Sequence, residues 1–417
     1  MKDGHFDVAV IGGGPAGMMA AGRAAEKGAS VVLLEQNAAL GKKLLLTGGG
    51  RCNILHAEFD THRLVEKFGK KGKALYSTFS QLDAQATWDF FVSRGLPLKV
   101  EEEQRAFPTS DRAEDVLRTM VRYMAAGNVQ VRTDAAVTGL KADGRTVTGA
   151  TLRGGEIGAD RYIIATGGTS HPETGSTGEG LGWMRTLGHT VNRPDPALVP
   201  VKLKDTWIPD LAGVSLHDVK LTVMQDGNKK HARTGKMLFT HAGVSGPLVL
   251  NMSKGIGELL REGDVTLHLD LFPALDPGAL DAQLLSTFDR AKNKLLKNTV
   301  GIVVQPRLGH VILNLLNIPA DKPLHQLTRE ERLAFVRLLK ALPLHVAGLM
   351  GAEEAIVAGG GVDLREIEFK TMRSKLYDNL YLTGDILDFD RRSGGFSLQI
   401  CWTTGYVAGT WAAARQK

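Results

Sequence analysis

The sequence predicts an α/β protein whose parallel sheet is assembled from both ends of the chain around an insert. A short apolar, β-branched run at 6–11 is followed at once by a glycine-rich turn and a helix-forming stretch, the pattern of a buried strand that enters a βα unit. A second such run, at 379–383, ends in Gly384-Asp385 near the carboxyl terminus. Between them, from about residue 192, prolines break up the chain and strand patterns replace the βα rhythm.

The first turn, GGGPAG at 12–17, has the G-x-G-x-x-G spacing of a dinucleotide-binding site. Gly12 makes the tight turn, Gly14 lets the backbone approach a pyrophosphate, and Gly17 lets helix and strand pack closely. The pyrophosphate would lie at the N-terminus of the helix predicted over 18–27, because free N–H groups there favour negative charge.

An acidic residue completes this motif. The second predicted strand, 30–34, ends in Glu35, which lies 23 residues after Gly12. An acid at this spacing hydrogen-bonds the adenosine ribose and disfavours a 2′-phosphate. A glycine turn without a ligand is the alternative, and this turn by itself does not separate FAD from NAD.

The end of the chain favours FAD. A strand feeding Gly384-Asp385, then the glycine pair at 394–395 and a helix to Ala414, provide what a second contact with FAD requires. Asp385 would accept a ribityl hydroxyl, and the helix N-terminus would stabilise negative charge at the flavin C2 carbonyl. The alternative for Asp385 is an ordinary acid in a turn at a strand end.

Composition bounds the class of protein. The chain has 417 residues, of which 43% are hydrophobic and 23% charged, as in an ordinary globular protein. Glycine accounts for 49 residues, with triplets at 12–14, 48–50 and 359–361, which suggests close backbone approach to a ligand. The formal net charge is +6, but the basic residues are scattered, so a nucleic-acid partner is not expected.

The cysteines and the termini favour a cytoplasmic protein. Two cysteines, Cys52 and Cys401, are too few to stabilise a secreted protein by a set of disulfide bonds. Asp3 and Asp7 interrupt any signal peptide. Residues 393–414 carry no charge and are long enough to span a bilayer, but their Gln, Thr and Gly residues favour a buried core helix, so no membrane partner is expected.

The loop 47–53 (TGGGRCN) should pass along the ribityl chain toward the flavin ring. Its glycines allow close backbone approach, Arg51 can meet a phosphate, and Asn53 can meet a ring edge. The alternative is a structural turn with Arg51 in a surface ion pair.

With the adjoining residues, this loop forms the segment GKKLLLTGGGRCN at 41–53, which resembles the BaiN/RdsA-type (YhiN-like) NAD(P)/FAD-dependent oxidoreductases of the glutathione-reductase-like FAD superfamily. Further matches lie at 165–168 (ATGG), 174–180 (TGSTGEG), 239–247 (FTHAGVSGP), 359–362 (GGGV) and 394–399 (GGFSLQ). The resemblance implies one tightly bound, non-covalent FAD in a discontinuous Rossmann-like domain, and an inserted β-barrel with a small helical bundle. The chain departs from the family at His171, where Tyr is usual, at Phe396-Ser397, where Tyr-Asn is usual, and at Asp390-Arg391-Arg392, where an Asp-Gly is usual.

These motifs define the expected cofactor site, and no metal-ligand spacing accompanies them. The predicted cofactor contacts are Gly12, Gly14, Pro15, Ala16, Gly17, Glu35, Gln36, Lys43, Thr47, Gly49, Gly50, Arg51, Cys52, Asn53, Val137, Thr166, Gly167, Gly384, Asp385, Gly395, Phe396 and Ser397.

Two residues are candidates for catalysis. His241 could move a proton during hydride transfer, since an unperturbed imidazole titrates near neutral pH; a buried structural histidine is the alternative. Cys52 lacks a CxxC partner, so it would act either in a redox pair with Cys401 or not at all, as a packed inert thiol.

The predicted domains are 1–191 with 348–417 for the cofactor, and 192–347 for the insert. Within the insert, a β-barrel is expected over about 192–275 and helices over about 276–347. Outside it, helices are expected at 81–94 and 111–125, with Ser80 and Ser110 as their N-caps.

The leading hypothesis is an FAD-dependent oxidoreductase that transfers hydride between flavin N5 and a small organic substrate. The sequence contains no second strand–G-x-G-x-x-G–helix unit, so NAD(P)H would act as a transient donor that reduces an activated C=C bond, or oxygen would complete an amine oxidation. An RNA-associated flavoprotein and a non-catalytic flavin-binding protein are the alternatives. Substrate, electron partner and oligomeric state stay open.

Overall fold

A computed structural model describes residues 5–192, 196–351, 357–389 and 391–414. The chain divides into two compact units. The sheet unit comprises Met1–Ala197 with Ala355–Lys417, and the barrel unit comprises Leu198–Glu354. Asp390, one of the departures from the resembled family, lies outside the described residues.

The helices and strands alternate in the first part of the sheet unit as βα units do. In chain order they are β1 (His5–Ile11), α1 (Pro15–Glu26), β2 (Val31–Leu34), α2 (Lys42–Leu46), β3 (Leu55–His56), α3 (Thr61–Glu66), α4 (Tyr76–Phe79), α5 (Ala84–Ser93), β4 (Leu98–Glu101), β5 (Arg105–Pro108), α6 (Ala113–Ala126), β6 (Gln130–Arg132), β7 (Val137–Asp143), β8 (Thr146–Leu152), β9 (Gly155–Ile164), α7 (Glu179–Thr186), β10 (Val191–Asn192) and β11 (Pro196–Ala197).

The barrel unit and the return to the sheet unit follow. The barrel unit contains β12 (Val201–Leu203), β13 (Ser215–Gln225), β14 (Asn228–Phe239), β15 (Gly243–Ser245), α8 (Pro247–Leu250), α9 (Ser253–Leu260), β16 (Val265–Asp270), α10 (Pro277–Arg290), α11 (Val300–Val303), α12 (Pro306–Leu315), α13 (Arg329–Lys340) and β17 (Leu342–Leu349). The return contains β18 (Val357–Ala358), β19 (Gly361–Val362), β20 (Ile367–Glu368), β21 (Arg373–Ser374), β22 (Leu380–Leu382) and α14 (Phe396–Ala412).

The main sheet joins the two ends of the chain, as predicted. Its strand order is β20-β21-β22-β9-β1-β2-β6, and β1 pairs in parallel with both β2 and β9. β22, from the carboxyl-terminal part, pairs in parallel with β9. Because the carboxyl ends of parallel strands meet at one edge of a sheet, the turns after β1, β2, β9 and β22 converge there.

The last helix, α14, packs along α1 in the core. Glycines make this close approach possible, because a Cβ at Gly405 would lie 2.4 Å from the Ala16 carbonyl oxygen. A Cβ at Gly409 would lie 2.4 Å from the Ala20 carbonyl oxygen. The uncharged segment is therefore a core helix, as predicted. Among the described residues, every helix is too short or too polar to cross a membrane.

The barrel unit is built from strands and helices, but the two are not separated at about residue 275 as expected, because β17 follows the helices and pairs with β16 and β12. Strands β12-β15-β14-β13-β16-β17 close into a barrel. Along β13, Val219, Leu221 and Val223 are buried at alternate positions, as strands with one inward face require. The predicted α/β fold with an inserted barrel and helices is confirmed.

Two predicted helix starts are wrong. Helix α5 begins at Ala84 rather than at 81, because the Asp83 side chain accepts a hydrogen bond from the backbone N–H of Ala86 and caps it. Helix α6 begins at Ala113, and no side chain caps it. Ser80 and Ser110 are therefore not N-caps. Sequence periodicity identified the two helices but not the residue at which each of them begins.

Candidate functional site

A pocket in the sheet unit lies where the strand ends converge. Its walls come from the glycine turn after β1, the acidic turn after β2, the segment before α7, and the first turn of α14. Thirteen of the predicted cofactor contacts line it: Gly12, Gly14, Pro15, Ala16, Glu35, Gln36, Lys43, Thr47, Val137, Thr166, Gly167, Asp385 and Ser397.

The first glycine turn has the geometry that its spacing predicts. Gly12 has φ +108°, and a Cβ there would lie 2.5 Å from the Ala165 carbonyl oxygen. At Gly17 a Cβ would lie 1.9 Å from the Gly12 carbonyl oxygen. By contrast, a Cβ at Gly14 would meet nothing within 4 Å, and Gly14 lines the pocket. Gly12 and Gly17 thus serve packing, whereas Gly14 leaves space beside the backbone.

The acidic turn after β2 is held by its own carboxylate. Glu35 is buried, and it accepts hydrogen bonds from the backbone N–H of Gly13 at 2.7 Å and of Asn37 at 2.8 Å. The Gln36 amide donates to the Gly175 carbonyl oxygen at 2.6 Å. The acidic turn is therefore joined to the segment that precedes α7, and both line the pocket.

Three helix N-termini border the pocket. Helices α1, α7 and α14 begin after Gly14, Gly178 and Gly395, and none of the three has a side-chain cap hydrogen bond. Residues of the first turn of each helix line the pocket. Unsatisfied N–H groups at helix starts attract anions, and three of them around one cavity favour a ligand with several electronegative groups.

A small charge cluster forms one end of the pocket. Asp385 follows β22, and its carboxylate lies 3.4 Å from the Lys43 ammonium and accepts a 3.0 Å hydrogen bond from the Ser397 hydroxyl. The Arg391 Nε lies 3.4 Å from the same carboxylate. Burial raises the pKa of the Asp385 carboxyl, but the charges of Arg391 and Lys43 and the hydrogen bond from Ser397 outweigh it, so the pKa lies below its usual range. Asp385 is thus an ionised acceptor at the pocket wall.

The loop 47–53 contributes less to the pocket than predicted. Thr47 lines it, whereas Gly49 and Gly50 are exposed and do not. The Arg51 guanidinium forms ion pairs with Glu101 and Asp111 and lies 4.1 Å from the centre of the Phe107 ring. Arg51 is thus in the ion-pair arrangement that was the alternative for this loop, and its contact with a phosphate stays a prediction.

Other predicted contacts support the pocket from behind. With its amide oriented to satisfy its neighbours, Asn53 accepts a 3.1 Å hydrogen bond from the Gly395 N–H. The Phe396 ring stacks on His56 with their centres 4.3 Å apart. A Cβ at Gly384 would lie 2.8 Å from the Ala16 Cβ. Asn53, Gly384 and Phe396 do not line the described cavity; Asn53 and Phe396 hold the start of α14 in place.

The two cysteines are free and buried. Burial raises the pKa of the Cys52 thiol to about 12, with a smaller opposing effect from Thr47. Cys401 lines the pocket, and burial and Asp385 raise the pKa of its thiol as well. Both groups are therefore thiols at neutral pH, which disfavours the nucleophilic and redox chemistry considered for Cys52.

His241 is exposed in the turn between β14 and β15 of the barrel unit. The described pocket is lined by residues of the sheet unit alone. His171, another departure from the family, lies 2.8 Å from the Glu173 carboxylate. Among the described residues, no group of three or more His, Cys, Asp or Glu side chains could hold a metal ion.

The site prediction missed several residues that line the pocket. They are Asn37, Gly41, Lys42, Ala135, Trp183, Leu398, Cys401 and the segment 174–180. The TGSTGEG motif at 174–180 was available as a signal, because its glycines permit the left-handed backbone seen at Gly175 and Gly178, φ +101° and +84°.

The pocket residues fit FAD. The space beside Gly14 suits a pyrophosphate next to the α1 N-terminus, Glu35 suits a ribose, and Asp385 with the α14 N-terminus suits the flavin end. An extended dinucleotide requires one carboxylate acceptor for the hydroxyls at each end and close backbone approach to the pyrophosphate between them. Glu35, Asp385 and the glycine turn meet these requirements.

Comparison with known proteins agrees with this geometry. The family model described as HI0933-like protein Rossmann domain matches residues 6–411. A 3-dehydro-bile acid delta(4,6)-reductase of Clostridium scindens is 31% identical over 413 residues, which cover 98% of this chain and 99% of that protein. A ribosomal RNA dihydrouridine synthase of Escherichia coli is 29% identical over 411 residues, 97% of each chain.

A solved structure shows the same fold. The 3-ketosteroid-delta4-(5alpha)-dehydrogenase of Rhodococcus jostii, in complex with 4-androstene-3,17-dione, superposes with a TM-score of 0.55 at 15% identity. The likeness covers 99% of this chain and 98% of that one. The chain therefore belongs to the HI0933-like family, as its motifs predicted, and it has the fold of a flavin-dependent oxidoreductase.

Proposed function

We propose that this protein uses FAD to reduce a C=C bond conjugated to a carbonyl group, with NAD(P)H as the electron donor. The observation that carries the proposal is the pocket itself, where three uncapped helix N-termini, the buried Glu35 and the partly buried Asp385 surround one cavity. When bound, FAD supplies two-electron redox chemistry.

The chain's own residues bind and orient the cofactor. The N–H groups at the start of α1 would hold the pyrophosphate, and the open space beside Gly14 would accommodate it. Glu35 would accept a hydrogen bond from a ribose hydroxyl, and Asp385, held by Lys43 and Ser397, would accept one from a ribityl hydroxyl. The N-terminus of α14 favours negative charge at the flavin end, which assists electron uptake.

The names of two relatives, a 3-dehydro-bile acid delta(4,6)-reductase and a ribosomal RNA dihydrouridine synthase, support the substrate class. An alkene conjugated to a carbonyl accepts two electrons and two protons, because the carbonyl stabilises the charge that develops during addition. A 3-oxo-4-ene steroid and the C5=C6 bond of uracil both contain this unit. The balanced reaction is alkene, NAD(P)H and a proton giving alkane and NAD(P)⁺.

Anaerobic titration tests the donor and the substrate in sequence. We expect NADH or NADPH to bleach the flavin absorbance of the purified holoprotein, and a 3-oxo-4-ene steroid to restore it. Failure of both nucleotides to bleach the flavin would overturn the NAD(P)H assignment. Reduction by an amine followed by recovery only in oxygen would indicate an oxidase. Bound FAD without turnover with any donor would indicate a non-catalytic flavin protein.

The second candidate function is reduction of uridine in RNA, which the E. coli relative's name favours. The scattered basic residues favour the small-molecule substrate instead. Salt-sensitive binding of ribosomal RNA, with loss of uracil absorbance under NADPH, would establish the RNA function. No binding at low salt would exclude it, since phosphate contacts are strongest there.

A further inference from the structure

Arg391 is a buried cation whose hydrogen-bonding capacity is only partly used. Its side chain has no exposed surface. One terminal nitrogen donates to the Leu387 carbonyl oxygen at 2.7 Å and to the Gly384 carbonyl oxygen at 3.3 Å. Its Nε and Nη1 have no hydrogen-bond partner among the described residues. Burying a charge with idle donors costs free energy, so packing by itself does not explain this side chain.

The charge faces the acid of the pocket from behind. Arg391 does not line the pocket, whereas Asp385 does. Three titratable groups face the Asp385 carboxylate: Arg391 Nε at 3.4 Å, Lys43 of α2 at 3.4 Å and the Cys401 thiol of α14 at 4.0 Å. Lys43 lies at the pocket wall and also contacts the Ser170 hydroxyl at 2.5 Å. Arg391, by contrast, contacts the Asp385 carboxylate and the backbone carbonyl oxygens of the same turn.

We propose that Arg391 is a positioning residue that keeps Asp385 ionised and fixes the Gly384–Leu387 turn, so that the carboxylate accepts a ribityl hydroxyl of FAD. This inference rests on the proposed function, because it requires FAD in the described pocket. The two carbonyl contacts hold the turn, and the guanidinium charge offsets the burial of the carboxylate. Arg391 thus acts on the cofactor only through Asp385.

The rate of FAD release from the diluted holoprotein tests the proposal, followed by the rise of flavin fluorescence between pH 5 and 9. We expect Arg391→Gln to release FAD about tenfold faster at pH 5 than at pH 9, since an unsupported buried carboxylate becomes protonated as the pH falls. Wild type should show little change over the same range. Arg391→Lys, which keeps the charge, should restore most of the pH-independent retention.

Two further variants keep the outcome decisive. Arg392→Gln alters the neighbouring, exposed arginine and should behave as wild type. Asp385→Asn should release FAD about tenfold faster at every pH, with no pH dependence, because the titrating group is gone; this arm stands even where Arg391→Gln does not fold. Release from Arg391→Gln at the wild-type rate across the pH range would overturn the inference while leaving FAD binding intact, and so would release from Asp385→Asn at the wild-type rate. Wild type without FAD would instead overturn the proposed function.

Discussion

Gly17 packs so closely on the carbonyl oxygen of Gly12 that a Cβ atom on Gly17 would lie 1.9 Å from it. The turn after β1 and the helix α1 therefore pack directly backbone against backbone, with no side chain between them. Gly14, between them, faces open space instead. Two glycines of one motif thus have separable roles, and substitutions can distinguish them.

Gly17→Ala should destabilise the fold. The added methyl group meets backbone that cannot move without shifting β1 or α1, and overpacking of this kind costs about 1–3 kcal/mol. Chemical denaturation of the flavin-free chain measures the loss. Gly182→Ala is the matched control, because a Cβ there would meet nothing within 4 Å. Equal stability of the two variants would contradict the packing role.

Gly14→Ala should weaken FAD binding and leave the flavin-free fold intact. Its backbone is extended, with φ −79° and ψ −176°, so alanine is tolerated, but the methyl group would enter the pocket beside the α1 N-terminus. We expect the dissociation constant for FAD to rise about tenfold or more, measured by fluorescence quenching. Unchanged affinity would place the pyrophosphate elsewhere.

Cys52→Ala should leave flavin reduction unaffected. With the thiol pKa raised to about 12, the thiolate fraction at pH 7 is on the order of 10⁻⁵. Stopped-flow reduction by NAD(P)H and turnover with the substrate should match wild type. Cys401→Ala and the double variant complete the set, and a large loss of reduction rate in all three would restore the redox-pair hypothesis.

The stability of the chain should depend on pH through His56. Burial, with a contribution from Lys67, lowers the pKa of this buried imidazole from 6.5 to about 4. Between pH 6.5 and 4 the imidazole therefore binds a proton in the unfolded state but not in the folded state. The free energy of unfolding consequently falls as the pH drops from 6.5 toward 4. His56→Gln should reduce the slope of the free energy of unfolding against pH by an amount corresponding to the binding of up to one proton. His62→Gln, at an exposed histidine, should leave this slope unchanged. Denaturation curves at several pH values between 4 and 7 measure the difference.

His241→Gln should slow substrate-dependent reoxidation and leave flavin reduction by NAD(P)H unchanged, if the imidazole supplies the proton in the second step. Single-turnover mixing separates the two steps. His217→Gln, at another exposed histidine of the barrel unit, is the control. Equal reoxidation rates in the two variants would remove His241 from the mechanism.

The site was predictable where the motif dictates backbone conformation. The turn at Gly12, Gly14 and Gly17 and the acid after each strand, Glu35 and Asp385, follow from spacing, because few conformations let a strand enter a helix around a phosphate. Arg51 was not predictable in this way. Its partners, Glu101 and Asp111, come from distant parts of the chain, and a charged side chain beside glycines suits an ion pair as well as a phosphate.

The sequence by itself determined the parallel sheet and the position of the dinucleotide turn, because hydrophobic period and glycine spacing are local properties. The barrel was implied by the family resemblance, and its closure by β17 is a tertiary contact. Only the tertiary structure decided which side chains meet at the pocket. It joined Gln36 to Gly175 and brought Lys43, Arg391 and Ser397 around Asp385. Such contacts depend on how distant segments pack, and no local pattern encodes the partner of a long, flexible, charged side chain.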